Sequence, residues 1–527
     1  MVPYSFTPTS HFIFTLGLSL SLFIGLVIIG FGRHGLHFFS LLLPAGTPLG
    51  LAPFLVLLEL ISYVFKVISL GVRLAANMLA GHCLLKILAG FVWTWNVPIL
   101  VGSGIFFLFY SKLTPFKYLK HSFELILGRH SKQDDVGDVT HFQALTTALS
   151  GTIGLGNIAG VAIAIQLAGP GAIFWMWLTA IVGIATKFFT CTLSVMYRDV
   201  AEDGTVRGGP MYVIKNALPQ SMMPLAYFFA AAGLIGALPG FQSNQLVQIM
   251  GDLPMFQFDN FNLIAGIVLA GVTGAIILGG LIRIAKVSEW LVPSMSLLYF
   301  GSVLIALILN FDSIIPAFKI IIEDAFTGSA VAGGSVIAVI IMGVRRGAHS
   351  NEAGIGTETL VHGSAKTSDP VKQGLVAMLG PIFDTLIMCT STALLIIISG
   401  VWLASDSTGV TLTAEAFSAL LGPLGYAVLF ICVVSFGAST IFTYSFYGSA
   451  CSQFLFGEKG VKIYQWVIIL FVIVFAVIPI EAAINVIDIS FALMAIPTLI
   501  SSVWLAPKVI EKARDYFAAL EKIPSNS

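Results

Sequence analysis

Within an otherwise apolar stretch the chain reads Ser150-Gly151-Thr152-Ile153-Gly154-Leu155-Gly156-Asn157-Ile158-Ala159-Gly160. Three glycines and two hydroxyls occupy its first seven residues, and each glycine inside a helix costs about 1 kcal/mol relative to alanine. A helix break is therefore expected. In an apolar medium the carbonyls freed by a break must find partners, and a dehydrated sodium ion is a suitable one. The half-helix beginning near Gly156 and Asn157 would aim free N–H groups and a positive dipole end at an anion such as a carboxylate. Two other readings compete. Gly156 and Gly160 have the spacing of close helix packing through small residues. Gly154-x-Gly156-x-x-Ala159 has the spacing of a dinucleotide fingerprint, but no strand precedes it.

A second polar, glycine-rich interruption runs from Gly343 through Arg345, Arg346, Gly347, His349, Ser350, Asn351, Glu352, Gly354 and Gly356 to Thr357. Carriers built on inverted repeats place two discontinuous helices in corresponding positions of their halves, and these two segments are the best pair. Arg345 and Arg346 read as anchors on the cytoplasmic side or as gating charges paired to Glu352, and His349 as a hydrogen-bonded interface residue. Ser439 and Thr440, with Thr443 at helical spacing, put hydroxyl oxygens suited to a hard alkali cation into an apolar helix. Bonding back to their own helix carbonyls is the competing reading. Gln242, Asn244 and Gln245 follow Pro239-Gly240 and offer neutral hydrogen-bonding groups, which an external loop would explain equally well.

The elements that carry these residues must cross a bilayer. Of 527 residues 57% are hydrophobic and 10% charged, against roughly 25% charged in soluble domains. Spanning segments are expected near 96–111, 145–168, 172–197, 222–250, 262–282, 290–310, 330–365 (interrupted), 374–402, 423–455, 463–480 and 485–507. If Lys112 opens a cytoplasmic loop, alternation places twenty Lys and Arg on that side and one, Lys319, on the other. That asymmetry supports both the segments and the orientation. The insertion 311–328 carries a helical apolar pattern (Ile314, Ile315, Phe318, Ile321, Ile322) and reads as a lid or a plain surface helix on the outer side. Phe12 to Phe31 is too long for a signal-peptide core and reads as a further span.

Lys plus Arg and Asp plus Glu balance at 26 each, so nothing points to nucleic acid. The cysteines Cys83, Cys191, Cys389, Cys432 and Cys451 have neither metal-ligand spacing nor a disulfide setting. With no nucleotide-binding loop and no catalytic triad, neither an enzyme nor a primary pump is expected, and no cofactor beyond a coupling ion.

Over about 92–527 the chain resembles the alanine or glycine:cation symporters. The likeness rests on the Ser150–Gly160 stretch, Gly169-Pro-Gly-Ala-Ile-Phe-Trp-Met-Trp177, Gly208-Gly-Pro-Met-Tyr212, Pro239-Gly-Phe-Gln-Ser-Asn244, Arg283-Ile-Ala-Lys-Val-Ser-Glu289 and Ser350-Asn-Glu-Ala-Gly354. The resemblance implies an all-α polytopic membrane protein of LeuT type. That fold has two five-helix inverted repeats and one extra helix, here 96–111, with 145–168 and 330–365 as the broken pair. It further implies that Ser150, Gly154, Gly156, Asn157 and Gln242 surround a small neutral amino acid, alanine or glycine. Ser439 and Thr440 would join backbone near Gly151 and Thr152 around sodium. Sodium binding would order the broken helix and favour the zwitterion, so that the loaded carrier changes access more readily than a half-loaded one.

Residues 1–95 resemble subunit a of F-type ATP synthase through Tyr4–His11, Arg33–Ser40, Ala52–Tyr63 and Ser69–His82. In that family an arginine matching Arg73 faces the proton-carrying carboxylates of the rotating ring, and Glu59 and His82 match polar positions along the proton path. An arginine in an apolar run is also costly enough to suggest function. The resemblance stops near Phe91 to Trp95, before the family's final membrane helix, and lacks its first part. Residues 1–95 therefore read as a fusion or chimeric segment, with proton translocation as the alternative function and no ATP synthase c-ring partner expected. A plasma membrane of bacterial type or a mitochondrial inner membrane is the expected location.

Overall fold

A computed structural model describes residues 12–35, 38, some positions between 55 and 72, 98–128, 135–201, 204–251, 253, 256, 258–328, 336–478 and 480–521. The chain divides into two compact units, Met1–Phe91 and Val92–Ser527. In the first, the apolar run forms helix α1, Phe12–His34, and the Ser19 hydroxyl donates to the Val67 carbonyl at 2.8 Å. Glu59, Arg73 and His82 lie outside the described residues.

Among its described residues the second unit is helical apart from a short hairpin and an isolated parallel bridge between Val139 and Ala365. Helices α2 (Pro98–Tyr110) and α3 (Leu119–Ile126) lead to α4 (His141–Thr152), which starts on a capping box between Thr140 and Gln143. A π-helical turn at Gly156–Gly160 and α5 (Val161–Ala168) follow, then α6 (Ala172–Met196). The hairpin pairs Asp199–Val200 with Val206–Arg207. Next come α7 (Pro210–Ala217), α8 (Met223–Gly236), α9 (Gly240–Gly251), α10 (Phe261–Ile277) and α11 (Gly280–Leu309). The insertion is a helix, α12 (Ile314–Thr327), as its pattern predicts. It is fixed to the start of α6: Asp324 accepts from the Gly171 N–H at 2.8 Å, and the Trp175 indole donates to the Ala325 carbonyl at 3.1 Å.

The second half begins with α13 (Val336–Asn351) and α14 (Glu358–His362). Beyond them are α15 (Pro370–Ala377), a π-helical stretch at Ile382–Cys389, α16 (Thr390–Ser399) and α17 (Val410–Leu421). The chain ends with α18 (Pro423–Val477) and α19 (Ile480–Leu520). Six described helices are long and apolar enough to cross a membrane, and a seventh span results if α4 and the bent helix after it count as one. This is a multi-pass membrane protein.

Two expectations change. The 403–422 loop contains α17, whose Val410, Leu412, Ala416 and Phe417 are buried; at twelve residues it is too short to show as a span. The spans expected at 423–455 and 463–480 are present as the two arms of α18, which break at Gly457, whose positive φ of 69° an L side chain adopts rarely. Arg345 and Arg346, counted in the 343–373 loop, stand inside α13 with Arg346 buried. Setting them aside leaves eighteen basic residues against one in the loop count.

The ends of the two broken helices that carry the basic loops are tied together. The segment before α4 pairs with the segment after α14 through Asp138 N–H to Ser364 carbonyl, 2.8 Å, and Lys366 N–H to Val139 carbonyl, 2.7 Å. Arg198 clamps the pair by donating to the carbonyls of Val136 (2.8 Å), Gly363 (3.1 Å), Ala365 (2.8 Å) and Thr367 (2.9 Å). Hydrogen bonds from a charged donor are each worth about 1.5–3 kcal/mol where water does not compete, and part of this clamp is exposed. Arg198→Ala is therefore expected to cost about 2–3 kcal/mol, read as earlier thermal unfolding in detergent; unchanged unfolding would contradict the clamp.

Candidate functional site

The first break lies where the glycines place it. Helix α4 ends at Thr152; Ile153 leaves helical geometry at ψ 88°, and the path resumes at Gly156 bent by 48°. The gap is short, residues 153–155, and the resumption is a π turn rather than an extended strand. Gly154 is required by approach: a Cβ there would sit 2.5 Å from the Thr440 hydroxyl oxygen.

Across this break α4 and α18 exchange hydrogen bonds. The Ser150 hydroxyl donates to the Ser439 carbonyl at 2.9 Å, and the Thr440 hydroxyl lies 2.9 Å from both the Ser150 and Phe436 carbonyls. One turn on, the Thr443 hydroxyl reaches the Thr147 carbonyl at 3.3 Å. The Ser439 hydroxyl bonds back to the Phe436 carbonyl at 3.0 Å. Both readings of the hydroxyl pair thus have structural counterparts, since Thr440 bonds to its own helix and also to the broken one. The Thr152 hydroxyl is buried, without a hydrogen-bond partner among the described residues. Ser150 and Gly154 therefore lie against Ser439 and Thr440, while Gly151 faces Thr443 and Tyr447.

The second break falls at 352–357, later than the Gly343–Gly347 stretch, which stays helical. A Cβ on Gly343 would lie 2.4 Å from the Ala172 carbonyl oxygen, so that glycine serves contact with α6. In the break Asn351 accepts from the Ala353 N–H at 3.0 Å, and Gly354 and Gly356 take φ of 85° and 97°. Glu352, at φ 53°, accepts from the Tyr444 hydroxyl at 2.7 Å and from the Thr357 hydroxyl, which are its partners in place of the gating pair read from sequence. His349 packs against Phe491, ring centroids 5.3 Å apart and planes tilted by 36°.

Asn157 on the first broken helix meets Asp384 in the π-helical stretch. Its amide nitrogen donates to the Asp384 carboxylate and lies 3.3 Å from the Asp384 carbonyl, while its oxygen has no partner among the described residues. Ser350, on the second broken helix, donates to the same carboxylate at 3.0 and 3.1 Å, and Thr385 adds a bond at 3.1 Å. One fully buried carboxylate therefore joins both broken helices. Sequence reading missed Asp384. The signal was present: an acid inside an apolar span is expensive enough to suggest function.

Gln242 is buried in the first turn of α9 with its side-chain oxygen unpartnered among the described residues. Asn244 and Gln245 also belong to α9 rather than to a loop. Asn244 donates to the Ile478 carbonyl at 2.7 Å, and Gln245 accepts from the Val410 N–H at 3.2 Å. Both tie α9 to its neighbours.

Residues 78–526 match the model of the sodium:alanine symporter family. The chain belongs to that family. The Methanococcus maripaludis sodium/alanine symporter AgcS is 38% identical over 436 residues, covering 81% of this chain and 95% of that protein. The probable sodium/glutamine symporter GlnT of Bacillus subtilis is 33% identical, covering 80% and 87%. The amino-acid carrier protein AlsT of the same organism is 32% identical, covering 82% and 92%. The symporter superposes on the crystal structure of MhsT in complex with L-phenylalanine with a TM-score of 0.51 at 13% identity, covering 71% of this chain and 98% of that one. The fold is thus that of the LeuT-type transporters, as the sequence resemblance implies. Residues 1–126 also match the ATP synthase A chain model. That match runs past the Phe91–Trp95 limit of the sequence resemblance and overlaps the symporter match over 78–126.

Proposed function

We propose that residues 96–527 perform sodium-coupled symport of a small neutral amino acid, alanine or glycine, by alternating access, with residues 1–95 a separate segment. The exchange of hydrogen bonds between Ser150 and Ser439–Thr440 across the first break supports it most directly. Sodium would take oxygens from the Ser439 and Thr440 hydroxyls and from backbone near Gly151 and Thr152, replacing the Thr440–Ser150 bond with a coordinated cation. Substrate would lie beside Ser150, Gly154, Gly156 and Asn157, with Gln242 contributing from α9. Its carboxylate would meet the N–H groups at the resumed helix, and the unpartnered oxygens of Asn157 and Gln242 could accept from its ammonium. A pocket lined by Gly154 and Gly156 would favour small side chains. Because cation and solute share the broken segment, binding one orders the site for the other. A bacterial-type plasma membrane or a mitochondrial inner membrane is the proposed setting.

Purified protein is expected to bind labelled alanine more tightly in sodium than in choline. Ser439→Ala should raise the sodium concentration for half-maximal binding roughly fivefold or more, corresponding to about 1 kcal/mol of lost ligand interaction. Binding indifferent to sodium would remove the coupling, and an unchanged sodium requirement in the variant would remove Ser439 from the ion site.

A further inference from the structure

Glu358 begins α14, immediately after the second break, and is fully buried. Among the described residues no other element donates to its carboxylate oxygens; the donors beside it are its own N–H and the Thr357 hydroxyl, which is given to Glu352. Buried carboxylates are paired, hydrogen-bonded or neutralised, because an isolated one is too costly in an apolar interior. Two buried hydroxyls on the elements packed against α14 are unpartnered among the described residues: Thr147 on α4 and Tyr447 on α18. The Tyr447 oxygen stands where a Cβ on Gly151 would come within 2.9 Å, and it is electrostatically coupled to Glu352 and Glu358.

The charge of buried Lys187 on α6 acts on Glu352, Glu358 and Asp384 alike. Glu352 and Asp384 have hydroxyl or amide donors. Glu358 has only its own backbone N–H and the Thr357 hydroxyl, which is given to Glu352. Thr147 precedes Gly151 by one helical turn on α4, Tyr447 follows Thr440 by two on α18, and α14 leads away from its break. All three therefore lie beyond Ser439 and Thr440 toward the basic-loop side. In the same direction Gln373 bridges His362 and His141, donating to one ring and accepting from the other at 2.5 Å each. These buried polar groups continue the line to the start of α4.

We propose that Glu358, with the hydroxyls of Tyr447 and Thr147, forms a second position for a monovalent cation, through which sodium leaves toward the side carrying the basic loops. Carboxylate and hydroxyl oxygens are the ligands a hard alkali ion takes. Loss of the carboxylate weakens sodium binding from the release side and leaves the ligands on Ser439 and Thr440 in place. The inference rests on the symport reading, and its test separates the two.

Full-length protein in oriented proteoliposomes would be assayed for labelled-alanine uptake while sodium is varied on each side in turn. For Glu358→Gln the release-side sodium concentration that half-inhibits uptake is expected to rise at least fivefold, with the entry-side half-saturating concentration within twofold of wild type. Tyr447→Phe, which removes only a hydroxyl, should shift the same quantity in the same direction by less, and it decides the matter if Glu358→Gln does not fold. Wild-type inhibition in both variants, or equal shifts on both sides, overturns the proposal while leaving symport intact. Wild-type uptake indifferent to sodium overturns both.

Discussion

Asp384→Ala is expected to lower the initial rate of sodium-dependent alanine uptake by about 30-fold or more in protein that still inserts and purifies. The carboxylate is the shared acceptor for Asn157 on one broken helix and Ser350 on the other. Removing it leaves two buried donors without that acceptor, at about 1–3 kcal/mol each, and frees the Asn157 amide to turn its nitrogen where its oxygen now points. The mechanism needs both half-helices held in register, so much of the penalty should fall on transport. Asp384→Asn keeps shape and an acceptor oxygen and should lose less. Initial rates and thermal unfolding measured together test this, and a wild-type rate in Asp384→Ala would contradict the role given to the carboxylate.

Gly154→Ala is the second large effect. The added methyl would lie 2.5 Å from the Thr440 hydroxyl oxygen, well inside contact distance, so either the hydroxyl leaves the Ser150 carbonyl or the break shifts. Overpacking of this kind typically costs 1–3 kcal/mol. Here it falls on a group proposed to hold sodium, and uptake should drop by roughly tenfold or more. Combining it with Thr440→Ala separates the causes, because the smaller side chain removes the clash. The double variant should regain thermal stability yet stay deficient in its response to sodium. Full recovery of sodium dependence would show that the glycine serves packing alone.

Much of this architecture was legible in the residues. Glycine and hydroxyl density marks the first break to within a few positions, because backbone propensity there is local and needs no partner to be felt. The basic loops order the spans for the same reason. The second break was placed correctly as an interruption but spread too far toward Gly343, because a glycine that admits a neighbouring helix looks in sequence like one that admits a turn. Only the position of Ala172 against Gly343 distinguishes them. Asp384 and Glu358 do not stand out in sequence as the glycines do, because their importance lies in contacts from distant elements. Helix α17 was hidden by its length. Asn244 and Gln245 left helix and loop open, because polar side chains in a helix between packed helices carry the same composition as a surface turn.

The most direct measurement is initial uptake of labelled alanine into proteoliposomes holding the full chain, with an inward sodium gradient, with equal sodium on both sides, and with choline in place of sodium. Accumulation above equilibrium under the gradient, and under neither other condition, is the result this account predicts. Equal uptake under all three conditions would contradict it.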